Sequence, residues 1–157
     1  MLELSELEKR IGYSFKNRAL LQRAVTHRSF CAEHNERLEF LGDAVLELIA
    51  CEEAYRDGSL AEGPMTVIKQ DWVANHRISE KVVAYGLRID DVMRVGGGHV
   101  GPSGSHIVTE GMRADCFEAL LAAVYLTRGL EEARRVAREV IGISPQIVQP
   151  GDEARSA

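Results

Sequence analysis

The sequence predicts an all-α protein, and three observations predict it. Apolar residues recur at helical spacing through two long segments, residues 38–49 and 110–126. Helix start and stop signals punctuate most of the remaining chain. Alternation of apolar and polar residues is rare, and Val, Ile and Thr are too scattered to support a sheet.

The elements follow in order. Ser5 and Glu8 have capping-box spacing, and Leu4, Leu7 and Ile11 form an apolar stripe that ends at Gly12. Asn17 is placed to cap a second helix through Leu20, Leu21, Ala24 and Val25. Residues 26–35 are polar and aperiodic, a connection into the helix around which the chain is organised. That helix carries Leu38, Leu41, Val45, Leu48 and Ile49 toward the core and runs to a stop signal at Asp57-Gly58. Ser59 and Glu62 repeat the capping-box spacing, while Pro64 suits a first turn. Helices from about Pro64 to Ala74 and from about Arg77 to Tyr85 are expected next, the second closed by Gly86. Ile89 to Val95 makes one further short turn, and residues 96–111 form a loop with five glycines by position 104. A second strongly apolar helix runs from Glu110 to Leu126 and stops at Gly129. A last amphipathic helix runs from Leu130 to Ile141. Residues 1–143 are read as one domain and 144–157, with two prolines and no periodicity, as a flexible C-terminal tail.

Composition bounds the function. A chain of 157 residues buries roughly 70% of its unfolded surface and builds a real core. Its 45% hydrophobic and 27% charged residues are ordinary for a globular protein. Cys31, Cys51 and Cys116 are odd in number and lack metal spacing, so each reads as a small core residue in a reducing compartment. The acidic N-terminus has no apolar run of a signal peptide, and no stretch approaches the ~18 apolar residues of a membrane span. A cytoplasmic protein with no membrane partner is expected. The net charge of −5 lowers the expected affinity for nucleic-acid phosphates.

The chemistry lies in acids set into apolar helices. Glu36, Glu39 and Asp43, at steps of three and four, stack on one helix face. Like charges at that spacing oppose the helix, and burial raises their pKa values unless a cation neutralises them. Asp115 and Glu118 repeat the arrangement on the second apolar helix, whose buried face is Met112, Cys116, Ala119, Leu120, Ala123 and Val124. Packed side by side, the two helices would converge Glu39, Asp43, Asp115 and Glu118. An all-oxygen ligand set of that kind suits Mg²⁺ or Mn²⁺.

The stretch Asn35-Glu-Arg-Leu-Glu-Phe-Leu-Gly-Asp-Ala-Val-Leu46 closely resembles the signature of the ribonuclease III endonuclease domain. Thr26-His-Arg-Ser-Phe30 looks like that family's threonine-histidine segment, Glu62-Gly63 like its glutamate-glycine pair, and Asp115 to Leu126 like its second acidic motif. The resemblance covers roughly residues 5–141. It implies an all-helical endonuclease fold and a homodimer in which each site cuts one strand of double-stranded RNA. It implies Mg²⁺ held by Glu39, Asp43, Asp115 and Glu118 as the catalytic carboxylates, with Mn²⁺ as a substitute. Glu36 and Glu62 match two further acids at the cleft edge and substrate. Phe40 matches the aromatic inserted into the dimer partner, a reading compatible with a core Phe. The implied reaction is phosphodiester hydrolysis leaving 5′-phosphate and 3′-hydroxyl ends, with RNA chosen by A-form shape and 2′-hydroxyls.

The chain also departs from the family's pattern. No double-stranded-RNA-binding domain is read within these residues, as expected either of a stand-alone catalytic domain, resembling the mini-ribonuclease III type in architecture, or of a piece of a longer chain. Lys69 stands where an arginine is usual. Arg113 stands where an apolar residue precedes the second acidic motif. The loop after Gly96 is poor in basic residues, leaving Arg94, His99, His106 and Arg113 for RNA. Gly96 to Gly101 spells a dinucleotide fingerprint, but neither a strand before it nor a helix after it is expected. The five histidines lack the spacing of a zincin or di-iron site. His27 reads as a hydrogen-bonding residue, and Cys116 as pointing into the core. Arg134, Arg135 and Arg138 read as a solvated basic face able to brush phosphates. Two alternatives stand beside the nuclease: a non-catalytic ribonuclease III-like module binding RNA or ribosomal partners, and a helical Mg²⁺ nucleotide pyrophosphohydrolase.

Overall fold

A computed structural model describes residues 2–144. The expected tail falls, from residue 145 onward, outside the described residues. The helices are α1 (Leu4–Ile11), α2 (Arg18–Ala24), α3 (Glu36–Arg56), α4 (Glu62–Val73), α5 (Asn75–Tyr85), α6 (Ile89–Val92), α7 (Glu110–Arg128) and α8 (Leu130–Ile141). A single 3₁₀ turn spans Gly97–His99 in the glycine loop, and among the described residues there is no strand longer than an isolated bridge.

The buried axis is α7, not α3. Every residue from Cys116 to Val124 is buried, and α3, α5, α8 and α2 pack around it. A helix that is apolar all round belongs inside. Phe117, Leu120 and Leu121 are enclosed, each burial contributing about 1.5–3 kcal/mol. The helix α3 covers one side of α7 with Leu38, Val45, Leu46 and Ile49 but leaves Phe40, Leu48 and Tyr55 exposed on its outer face. Leu48 is therefore not a core residue. Nor is Phe40, which is 82% exposed.

Local signals decided some helix ends and not others. The Asn17 side chain accepts from Leu20 N–H at 3.1 Å and starts α2. Gly12, Gly86 and Gly142 close α1, α5 and α8 in the left-handed conformation. Neither capping box forms. The helix α1 begins at Leu4, and Glu8 instead accepts from Phe15 N–H at 2.7 Å and pairs with Arg18. Ser59 turns back on Asp57 Oδ1, its N–H at 3.1 Å, and α4 starts at Glu62 with Pro64 in its first turn. A serine-to-glutamate spacing marks only a local option: Glu8 is taken by Phe15 and Arg18, and Ser59 by the neighbouring Asp57.

The basic face of α8 is only partly solvated: Arg138 is exposed, Arg135 half-buried and Arg134 buried. Glu53 on α3 is fully buried, and its Oε1 accepts from Arg134 at 3.2 Å and from Arg138 at 2.6 Å. Arg134, 2% exposed, also pairs with Glu52, while Arg135 donates to the Ile11 and Gly12 carbonyls at 3.2 Å. A buried carboxylate demands cations, and α8 supplies them. Of the cysteines, Cys116 is buried with its thiol 3.6 Å from the Ala24 carbonyl. Cys31 is half-buried and Cys51 exposed on the outer face of α3, which corrects the expectation of three core cysteines.

Candidate metal centre

The site lies where α3 crosses α7, and one glycine permits the crossing. A Cβ on Gly42 would sit 1.8 Å from the Glu118 carbonyl oxygen, so the two backbones touch there. That contact sets Glu39, three residues before Gly42, beside Asp115 and Glu118 of α7. Glu39, Asp115 and Glu118 each offer a carboxylate oxygen, all within 4.8 Å of one another. Asp43 lies one residue beyond the contact, exposed at the mouth of this triangle rather than within it. Its charge nevertheless bears on all three acids.

The electrostatics are those of crowded anions. Burial first, and then the charges of Asp43, Asp115, Glu39 and Glu47, push the Glu118 carboxyl up to about 8. Burial and the neighbouring Asp115, Glu36 and Asp43 raise Glu39, and burial with Asp43 and Glu36 raises Asp115. Only 4% of the Glu118 surface meets solvent. Among the described residues no basic side chain hydrogen-bonds Glu39, Asp115, Glu118 or Asp43, and the three clustered carboxylates with Asp43 beside them form a hard-oxygen donor set that a divalent cation fits.

The remaining predicted site residues are dispersed. Glu36 is exposed at the start of α3 and pairs with Arg28 at 3.3 Å, its charge reaching Glu39 and Asp115. Glu62 is exposed at the start of α4, beside Tyr55 and Lys69 and away from the triangle. Phe40 projects from the outer face of α3 and lines a hollow of about 630 Å³ with Leu20, Leu38, Leu41 and Leu126. Neither the steric role of Gly42 nor the pairing of Glu47 with Lys69 was anticipated. The glycine stood in the sequence between Glu39 and Asp43, and its lack of a side chain was the available signal.

The basic residues counted toward RNA are largely engaged inside the protein. Arg113 is bidentate to Asp90, with Nε at 2.7 Å, and donates to Ser79 Oγ at 2.7 Å, joining α7, α6 and α5. An arginine can occupy an apolar position here because Asp90 faces it. Arg94 stacks over Phe30 at 4.3 Å, and His106 Nδ1 meets the Asp90 carbonyl at 3.1 Å. His27 bonds Ser29 Oγ at 2.7 Å and packs edge-on to His99. Burial and the nearby His99 and Arg28 hold its pKa below the usual imidazole range. Ser29 Oγ also accepts from Gly96 N–H at 2.8 Å, anchoring the glycine loop as a turn and not as a nucleotide cradle.

Comparison with known proteins bears on this geometry. Residues 17–143 match the family model described as ribonuclease-III-like. Ribonuclease 3 of Pseudomonas fluorescens (strain Pf0-1) is 40% identical over 134 residues, which is 85% of this chain and 57% of that protein. Ribonuclease 3 of Pseudomonas aeruginosa (strain LESB58) is 35% identical over 150 residues, 92% of this chain and 61% of that protein. The chain thus spans about three-fifths of the length of these curated relatives. The crystal structure of the nuclease domain of ribonuclease III from Campylobacter jejuni superposes with a TM-score of 0.79 at 31% identity, covering 90% of this chain and 95% of that one. A second structure of that domain, described for flexibility in a region involved in dimer formation, gives 0.80 at 30% identity over 88% and 96%. With the family model matched from residue 17 to 143, and relatives 35–40% identical along most of its length, the chain belongs to the ribonuclease-III-like family.

Proposed function

We propose that the chain is a Mg²⁺-dependent endoribonuclease that hydrolyses double-stranded or structured RNA as a homodimer in the cytoplasm, leaving 5′-phosphate and 3′-hydroxyl ends. The observation that carries the reading is the triangle of Glu39, Asp115 and Glu118, held within 4.8 Å with Asp43 at its mouth. These four acids would hold Mg²⁺, or Mn²⁺ in its place. When bound, the cation supplies positive charge at the scissile phosphate and a water of lowered pKa.

The chain's own residues then have distinct roles. Glu118, buried and shared among like charges, is the acid most dependent on a cation to ionise. Asp43, exposed, is the one placed to meet substrate as well as metal. Glu36 and Glu62 would border the duplex, and Arg28 would orient Glu36 through their ion pair. The membrane is not a partner in this reading, and no described helix is long and apolar enough to cross one.

The test is cleavage of a long RNA duplex in Mg²⁺ at low salt, beside Glu118→Gln. Low salt matters because a net charge of −5 leaves little reserve of phosphate affinity. The parent is expected to cut the duplex and the variant to lose on the order of a thousandfold or more in rate, as expected where a site acid holding the metal is removed. A parent that binds duplex without cutting it, in Mg²⁺ or Mn²⁺, would move the assignment to the non-catalytic RNA-binding module. Hydrolysis of free nucleoside triphosphates with RNA left intact would move it to the pyrophosphohydrolase.

A further inference from the structure

Glu47 continues the acidic ladder of α3. It stands one turn beyond Asp43 and two beyond Glu39, on the same face of the helix. A fifth carboxylate there would join the four at the crossing, but Lys69 of α4 donates to Glu47 Oε1 at 2.6 Å. The contact is sheltered, with the Lys69 side chain 24% and the Glu47 side chain 41% exposed. We propose that Lys69 is a positioning residue that holds and neutralises Glu47, so that the affinity of the carboxylate site for a divalent cation is set by this pair as well as by the ligands themselves.

The inference rests on the metal-site reading above and extends it to residues that reading does not use. Glu47 adds to the upward push on the Glu118 carboxyl, so its charge is felt at the site even while paired. The hydrogen bond to Glu47 in turn holds the Lys69 ammonium above its usual range. Lys69 spans from α4, which packs against α3, to the acid-bearing face of α3. Removing the cation leaves an additional free anion near the site, whereas removing the anion leaves a free cation. The two changes act on metal affinity in opposite directions. General loss of packing would move both the same way, and that difference makes the proposal testable.

The experiment is Mn²⁺ binding to the RNA-free protein, followed by electron paramagnetic resonance and calorimetry at low ionic strength. It compares the parent, Lys69→Met, Glu47→Gln, the double variant and Lys69→Arg, with thermal melts to confirm folding. Lys69→Met is expected to bind Mn²⁺ tighter and Glu47→Gln weaker, each by on the order of three- to tenfold. The double variant and Lys69→Arg should lie near the parent. Single variants that both weaken binding, or both leave it unmoved, overturn the proposal while leaving the metal site standing. A parent that takes up no Mn²⁺ overturns the metal-site reading and this inference with it.

Discussion

Glu118 places a proton-linked equilibrium at the centre of the molecule. Its carboxyl, raised from 4.5 to about 8 by burial and by neighbouring anions, binds a proton more tightly in the folded than in the unfolded chain. The stability contributed by that proton is therefore fully present below pH 4.5 and is lost as pH rises through about 8. In chelator, the melting temperature of the parent is expected to climb as pH falls from 8 to 5. The underlying change is on the order of a few kcal/mol. Glu39 and Asp115, also raised, push in the same direction. Glu118→Gln should flatten this dependence and melt higher than the parent at pH 8. Added Mg²⁺ competes with the proton, so it should stabilise the parent more at pH 8 than at pH 5 and leave the variant unmoved. Calorimetric melts across that range check all three; a parent and variant with parallel pH profiles would remove Glu118 from the account. Spacing alone had already placed Glu39, Asp43, Asp115 and Glu118 on two helix faces. What it could not show is that Asp43 stays outside while Glu118 goes in, because helical spacing records direction around an axis and not depth.

Among the helices, the contact that matters most is the crossing of α3 over α7. Gly42→Ala would place a methyl 1.8 Å from the Glu118 carbonyl oxygen, which is backbone and cannot turn aside. The helices must separate, and the expected cost is at or above the roughly 3 kcal/mol upper end of ordinary overpacking. Denaturant melts would measure it. Because the separation also pulls Glu39 away from Glu118, Mn²⁺ affinity should fall in the fraction that stays folded; a folded variant with parental affinity would show that the crossing distance does not set the site. Helix periods and terminal glycines made the elements themselves legible. The helix α8 runs from Leu130 to Ile141 as its periodicity indicates, and Gly86 ends α5. The side chains that join one helix to another were not legible. Arg134 looked like a surface residue because nothing local announces that Glu53, on a helix far away in the chain, is buried opposite it. Glu8 was misread for the same reason, its partners Phe15 and Arg18 lying beyond the helix it was expected to cap.

At the scale of the whole molecule, the outer face of α3 carries three large exposed apolar side chains. Phe40 is 82% exposed, Leu48 47% and Tyr55 77%, at spacings that align them along one side of the helix. Together with the hollow beside Phe40, these side chains form a contiguous apolar surface of the kind that marks an interaction site. Beside Phe40 lies the hollow lined by Leu20, Leu38, Leu41 and Leu126. A two-fold axis next to the helix would let each Phe40 enter the partner's hollow, since an isologous interface brings every contact twice. The homodimer we propose thus has an anchor and a receptacle on one surface. Phe40→Ala removes an aromatic anchor counted twice per dimer. Loss of one such anchor typically costs about 2–4 kcal/mol, so dissociation should rise by several orders of magnitude, read by sedimentation across a dilution series. Phe40 is exposed and is not one of the three clustered acids, so the isolated variant should still take up Mn²⁺ with parental affinity per chain. If, as we propose, two sites of a homodimer act across one RNA helix, duplex cleavage should fall with the dimer. Metal binding lost together with assembly would instead show that the acids depend on the partner for their arrangement. A variant that stays dimeric on dilution would place the interface on another face of the fold.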